Sequence, residues 1–403
     1  MSGSLSYRAV LRLPNIGPLL LATCCARIAG RMFMLAIVLY ALERFGSPVL
    51  AGWVAFLTFA PGMAISPLAG ALLDRVGAPR AIIIDMAVGT VLVSALALGG
   101  ATGALHPPSL LALTAIYSLT GPLGAAGIRT LIPFLVPTNA LDRANALDNG
   151  SFALIDMSGP ALAGGLFALI GGEATMAVIA ALYAVAGLSL VRLRHAGPSR
   201  ADRKRSLLRE AADGVVYVIR HPALRGLAAG YALGQASWGI MLVVVPVFVA
   251  RVFGVGGHAD TVTGLVWTAD GIAACAGSLI AGHLRSAGRE RHFIGVGVLL
   301  IALAIWPVAA LFGLTGVFAG MALAGFFGGF VDVGTLTLRQ RVTDPAWFGR
   351  TLAVSMSLNM CGLPIGSALG GALAAWSLDA AFAVAAASAV LAAVVTYALL
   401  PEG

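Results

Sequence analysis

The sequence predicts an all-α membrane protein with twelve transmembrane helices in two pseudo-symmetric six-helix halves. Three observations carry this. Of the 403 residues, 59% are hydrophobic and 10% charged, with a mean hydropathy of +0.95, whereas a water-soluble domain carries roughly a quarter charged residues. The apolar residues fall in successive runs of bilayer length, broken by Gly, Pro and Arg. Several short motifs recur in the second half of the chain in the same order as in the first.

A helix crosses the bilayer in about 20 residues, so this length accommodates about a dozen crossings and no sizeable extramembrane domain. The runs are 16–40, 51–73, 81–100, 109–131, 147–170, 174–191, 224–250, 261–283, 293–313, 316–338, 351–376 and 379–399. The first follows Arg8 and Arg12, as a secretory leader would. Its length, its internal Arg27 and Arg31 and the many spans behind it predict an uncleaved first helix instead.

Positive loops stay cytoplasmic. One set of alternate connections holds Arg75, Arg80, Arg129, Arg143, the stretch from Arg192 to Arg225, Arg285, Arg289, Arg291, Arg339, Arg341 and Arg350; the other holds little beyond Arg44 and Arg251. Both termini are therefore predicted to be cytoplasmic, in a multi-pass protein of the cell (inner or plasma) membrane. The net charge of +8 arises in these connections rather than in one basic patch, so no nucleic-acid partner is expected. The four cysteines, Cys24, Cys25, Cys275 and Cys361, lie within apolar runs and are read as small packing residues.

The one long polar connection divides the chain into residues 1–191, a linker at 192–222, and residues 223–403. Within the linker, Leu208, Ala211, Ala212, Val215 and Ile219 share one helical face, which predicts a helix at the membrane surface or on the cytoplasmic end of the bundle. The flanking halves repeat one another. Arg143, Gly159 and Gly164 recur as Arg350, Gly366 and Gly371; Gly77 and Arg80 recur as Gly288 and Arg291; Phe45-Gly46 recurs as Phe253-Gly254. Order and spacing together point to a duplicated six-helix unit.

The connection after the second run reads Gly70-Ala-Leu-Leu-Asp74-Arg75-Val-Gly77-Ala-Pro-Arg80. Gly77 permits a tight turn, Asp74 can face the positive end of a neighbouring helix, and Arg75 and Arg80 can pair with acids or lipid phosphate. This stretch resembles the loop motif of the major facilitator superfamily, with Ala78-Pro79 at one of its basic positions. The resemblance implies the major facilitator fold and a cytoplasmic latch in which Asp74 meets Arg129 or the region of Arg350. In the fifth run, Gly159-Pro160-Ala-Leu-Ala-Gly164 resembles the Gly-Pro helix-kink motif of the family's antiporters. Together with Arg129, Pro133, Val136-Pro137, Ala144-Asn145-Ala146-Leu147 and Arg220-His221-Pro222, it is similar to the branch that exports drugs, macrolides and siderophores.

An ionisable side chain inside a membrane helix costs several kcal/mol unless paired or hydrated, so each is a functional candidate. Asp156, Asp270 and Asp332 lie well inside their runs, with Asp85 and Asp148 nearer the cytoplasmic ends. The first three are the proton-coupling candidates, Asp156 foremost because it precedes the Gly-Pro kink by one turn. A structural ion pair, for instance of Arg27 with one of these acids, is the alternative. The family fold implies a central cavity lined by the first, fourth, seventh and tenth helices, which makes Arg27, Arg31, Gln235 and Trp238 candidate substrate contacts. Glu173, Asp260 and Asp379 stand at helix starts on the outer side and are read as caps.

No phosphate-binding loop, metal-ligand spacing or nucleophile motif is present in the sequence, so no enzyme activity, cofactor or metal is expected. The predicted function is secondary active export of a small organic molecule by proton antiport and alternating access. Its expected partners are that substrate, protons and membrane lipid, with the chain acting as a monomer. Proton-coupled uptake of a metabolite is the alternative. A lipid-modifying membrane enzyme or a transporter-like sensor ranks below both.

Overall fold

The computed structural model describes residues 7–137, 141–191, 215–284, 288–343 and 358–400; within these, the side chains of residue 7, 67–75, 340 and parts of 126–157 lie outside the described set. The described chain is helical throughout. Its elements are α1 (Tyr7–Leu11), α2 (Ile16–Phe45), α3 (Pro48–Val76), α4 (Ala78–Ala101), α5 (Pro107–Ser118), α6 (Gly121–Leu135), α7 (Leu141–Val191), α8 (Pro222–Phe253), α9 (Gly257–His283), α10 (Glu290–Leu303) continued by a π-helical turn (Ala304–Ala309), α11 (Gly313–Val342), α12 (Gly362–Trp376) and α13 (Leu378–Leu399). Among the described residues, ten helices are long and apolar enough to cross a membrane. An all-helical chain is what hydrocarbon demands, because each backbone N–H and C=O must find its partner within its own segment. Apolar residues accordingly cover outward faces as well as inner ones: Leu169 is 81% exposed and Leu279 71%.

Local sequence sets the helix ends. Proline occupies the first turn of α4, α5, α6 and α8, where a missing N–H leaves nothing unsatisfied. Ser377 caps α13, its Oγ accepting from Ala380 N at 3.2 Å. Asp379 lies in the first turn of that helix. Asp260 does not cap: α9 begins behind Gly256 with no side-chain cap, and Asp260 sits one turn in, 4% exposed. α3 and α4 are joined by Gly77 alone, at φ 85.

The fifth and sixth predicted runs are joined in α7, whose 51 residues are interrupted at Gly171, at φ 81 and ψ 173. That left-handed region suits glycine. The packing of α7 on α2 shows what the break does. Gly159 lies against Arg31, while Gly30, its neighbour, lies against the Tyr183 hydroxyl. Asp148 bonds Arg27, while Ser189 donates to the Pro18 carbonyl at 3.2 Å. In a straight helix Gly159 and Tyr183 would stand about 36 Å apart, at 1.5 Å per residue. Both touch adjacent residues of α2, so α7 folds back at Gly171 as a helical hairpin. The fourth predicted run is likewise broken, into α5 and α6, around Leu119 and Thr120.

The chain divides into two compact units, one of Met1–Ala36 with Pro61–Leu208 and one of Ile37–Ala60 with Arg209–Gly403. In the first, α4 packs chiefly on α7 and α6; in the second, α9 packs on α11 and α8 on α12 and α13. The repeated sequence features take the same local form in each half. Gly77 and Gly288 both have positive φ, as do Gly46 and Gly254. Gly159 meets Arg31, and Gly366 meets the Ala236 backbone. The Tyr183 ring covers Gly89 of α4, and the Tyr397 ring covers Gly295 of α10. The predicted linker helix lies mostly outside the described residues; its last part, 215–220, is helical, with Val218 buried and Ile219 52% exposed.

Spin labels at Leu162 and Val185, in a background lacking the native cysteines, will report the fold-back directly. A separation well under the about 35 Å of a continuous helix is expected from pulsed dipolar spectroscopy.

Candidate functional site

In the first unit, polar chemistry gathers where α2 meets α7. Arg27 Nη2 donates to Asp148 Oδ2 at 2.8 Å, and Nη1 donates to the Asp148 carbonyl at 3.0 Å and to Ser151 Oγ at 3.2 Å. The pair is mostly buried, with side-chain exposures of 18% and 11%. Arg27 thus has an ion-pair partner in Asp148. One turn along, Arg31 lies against Gly159, where an added methyl would come within 2.5 Å of Arg31 Cβ. Gly159, Pro160 and Gly164 are all buried. Asp156 is in the same helix, but its side chain lies outside the described residues, as do those of Gly70, Asp74, Arg75 and Arg129. Arg80 is exposed near the start of α4.

A second cluster joins α4, α5 and the returning arm of α7. The Tyr117 and Tyr183 hydroxyls lie 2.5 Å apart, the Tyr117 ring packs on Phe33 with centroids 4.2 Å apart, and Asp85 lies against Gly124 of α6. Neither tyrosine stood out in the sequence, because a tyrosine in an apolar run raises no hydropathy signal.

In the second unit, Tyr231, Gln235 and Trp238 follow one another at helical spacing on α8. The Tyr231 hydroxyl donates to Asp332 Oδ1 of α11 at 2.9 Å. Gln235 lies close enough to act on the Tyr231 phenol, and so does Arg339, 3% exposed and two turns beyond Asp332. Asp332 is itself exposed while bonded to a side chain of the interior. Trp238 packs edge-on against Trp267 of α9 at 4.9 Å. Asp270, one turn past Trp267, lies against Gly325 of α11. The arrangement brings together Gln235, Trp238 and Asp332 from the sequence and adds Tyr231, four residues before Gln235. A carboxylate held by a phenol can take up and release a proton, and the two indoles offer an aromatic wall to an apolar or cationic molecule.

The family model described as Major Facilitator Superfamily matches residues 19–262 and 230–403. The chain belongs to that superfamily. It is 47% identical over 402 residues, 100% of this chain and 99% of the relative, to an uncharacterized MFS-type transporter, y4rN, of Sinorhizobium fredii. It is 27% identical over 369 residues, 89% of each chain, to the multidrug efflux pump Tap of Mycolicibacterium fortuitum. Among solved structures, the nucleoside transporter NupG superposes with a TM-score of 0.77 at 14% identity, over 96% of this chain and 99% of NupG. A bacterial homolog of the human lysosomal transporter Spinster superposes with a TM-score of 0.71 at 16% identity, over 98% and 96%. These likenesses establish the fold of a multi-pass transporter of the major facilitator superfamily.

Removing either partner of the Arg27–Asp148 pair strands a charge in the bundle. Arg27→Leu or Asp148→Leu is expected to cost about 3–5 kcal/mol. The double substitution should recover part of that loss, read as the unfolding midpoint of the purified protein in detergent.

Proposed function

We propose that this transporter exports a small organic molecule, a drug-like compound or secondary metabolite, in exchange for protons by alternating access. The observation that carries the reading is the Tyr231–Asp332 pair on α8 and α11. Facing lipid, a carboxylate would cost several kcal/mol, so the exposure of Asp332 is best accounted for by a hydrated path through the bundle. There its protonation would release the Tyr231 phenol and alter the contact between two helices. A ligand or proton shifts a two-state equilibrium only by interacting differently with its two states, and this contact supplies such a difference. The likeness to the Tap pump over 89% of the chain supports export.

The same reading takes α7 as two crossings because of its hairpin, and the α5–α6 pair as one. With α2, α3, α4, α8, α9, α10 with its π-helical turn, α11, α12 and α13, that makes twelve, in six-helix halves at 1–191 and 223–403 joined by the 192–222 linker. Both termini then face the cytoplasm, and the Asp74 motif with Arg129 forms the inner gate of a monomeric carrier. Asp156 and Asp270 remain coupling groups of the same class as Asp332. Trp238, Gln235 and Arg31 contact substrate, while Arg27 orders the first unit through Asp148.

The test is a proteoliposome assay under an imposed pH gradient, recording lumenal pH while organic cations, anions and neutral amphiphiles are added. Substrate-dependent proton flux is expected. Asp332→Asn should abolish it, and Tyr231→Phe should slow it without changing the substrate profile. Flux of full size in both Asp332→Asn and Asp156→Asn would reject the coupling assignment.

A further inference from the structure

Asp85 of α4 is half-buried, two turns from the start of its helix and so about 10 Å along it at 1.5 Å per residue. Its carboxyl rests on the backbone of α6. A methyl added at Gly124 would run into Asp85 Oδ2, and one added at Gly127 would come within 2.6 Å of Ile82 Cγ1, one turn earlier on α4. Gly124 belongs to the first turn of α6, which begins at Gly121. Thr120, which precedes that turn, has a buried Oγ1 that lies close enough to act on the carboxyl and has no hydrogen-bond partner. Asp85 also acts electrostatically on the phenols of Tyr117 of α5 and Tyr183 of α7, whose hydroxyls lie 2.5 Å apart. The Tyr183 ring covers Gly89, one turn beyond Asp85.

No cation among the described residues pairs with Asp85. Of the charged groups around it, Arg27 is bonded to Asp148, Arg31 lies against Gly159, and Arg80 is exposed near the start of α4. The side chains of Arg129 on α6 and Asp156 on α7 lie outside the described residues. A carboxylate without a counter-ion among apolar helices is costly, and taking up a proton removes that cost. The N-terminal end of α6 opposes this by favouring negative charge against its first turn. Asp85 thus lies between two influences of opposite sign, which is the setting in which a carboxyl exchanges its proton. The surroundings serve both forms: a protonated carboxyl can donate to Thr120 Oγ1, and a charged one can accept from the Thr120 hydroxyl. Such a role accounts for the orphaned Oγ1, since buried polar atoms are almost always bonded. A metal ion would require several oxygen ligands of its own, and no group of metal-binding side chains forms among the described residues.

We propose that Asp85 is a proton-binding residue of the first unit, exchanging its proton at the contact between α4 and the first turn of α6, beside Thr120 and the Tyr117–Tyr183 pair. Charging the carboxyl against α6 changes what holds these helices together, so proton occupancy is coupled to the packing of the first unit. The use of this proton in transport rests on the antiport reading above. Its binding is an equilibrium property that needs neither substrate nor gradient.

The test is an infrared pH titration of the purified full-length protein in detergent, following the C=O stretch of protonated carboxyl groups. A band that grows on acidification is expected in the wild type and in Asp332→Asn, and its loss is expected in Asp85→Asn. Thr120→Val removes a donor to the charged form, so it should raise the midpoint of that band by about one pH unit and shift its frequency. Tyrosine ring bands should change over the same pH range and lose that change in Asp85→Asn. Carboxyl bands that are unchanged in Asp85→Asn would overturn the proposal, as would an Asp85 band that does not vary with pH. Should Asp85→Asn fail to fold, Asp85→Glu decides, since a band of wild-type frequency and midpoint in that variant overturns the proposal as well. A titrating Asp85 band without proton flux in proteoliposomes would reject the antiport reading and leave this site standing, and flux without the band would do the reverse.

Discussion

Everything in this structure answers to one constraint: in hydrocarbon there is no water to bond a stray backbone group, so helices must form and then approach closely without a hydrophobic force between them. Glycine solves the second part. Gly52 of α3 meets the Ser367 carbonyl and Gly371 of α12, where an added methyl would lie 2.7–2.8 Å from their atoms. Gly277 and Gly329 bring α9 and α11 together, and Gly362, Gly366 and Gly370 do the same for α12 and α8. With 51 glycines in the chain, the interior is assembled by backbone contact as much as by side-chain packing.

Against that background the polar side chains fall into groups by what satisfies them. Arg27 with Asp148 on α2 and α7, and Arg341 with Glu290 on α11 and α10, are ion pairs between helices. Arg291 donates to the Tyr397 carbonyl and lies over that ring, joining α10 to α13. These contacts fix which helices are neighbours. The Tyr231–Asp332 bond also joins two helices, but its carboxylate is exposed, so the bond can respond to the medium around it. On α9, the buried Asp260 Oδ2, Thr263 Oγ1 and Trp267 Nε1 differ again, having no hydrogen-bond partner.

How much of this was legible in the sequence depends on the range of the interaction involved. The long apolar helices were, since hydropathy is a local property; even the break near Gly171 fell between two predicted runs. Asp332, Gln235 and Trp238 were visible as polar or aromatic residues in apolar surroundings. The partner of Arg27 was not, because pairing with Asp148 spans 121 residues and is decided by packing. Tyr117, Tyr183 and Tyr231 escaped notice because a phenol fits an apolar helix equally well with or without a partner. Asp260 was misread because an acid near a helix start has the same sequence signature whether it caps the helix or lies buried one turn inside it.

The one-residue junction at Gly77 has a mechanical meaning. Connections such as the one between α4 and α5, which runs from Thr102 to His106, hold slack that absorbs displacement. Between α3 and α4 there is none: two backbone torsions of one residue carry the whole change in direction. A tilt of α3 must therefore drag the start of α4 with it, and through α4 the helices packed on it, α6 and α7. The junction works as an elbow rather than a tether, so a signal arriving at the end of one helix is passed to the next as movement and not lost as loop entropy.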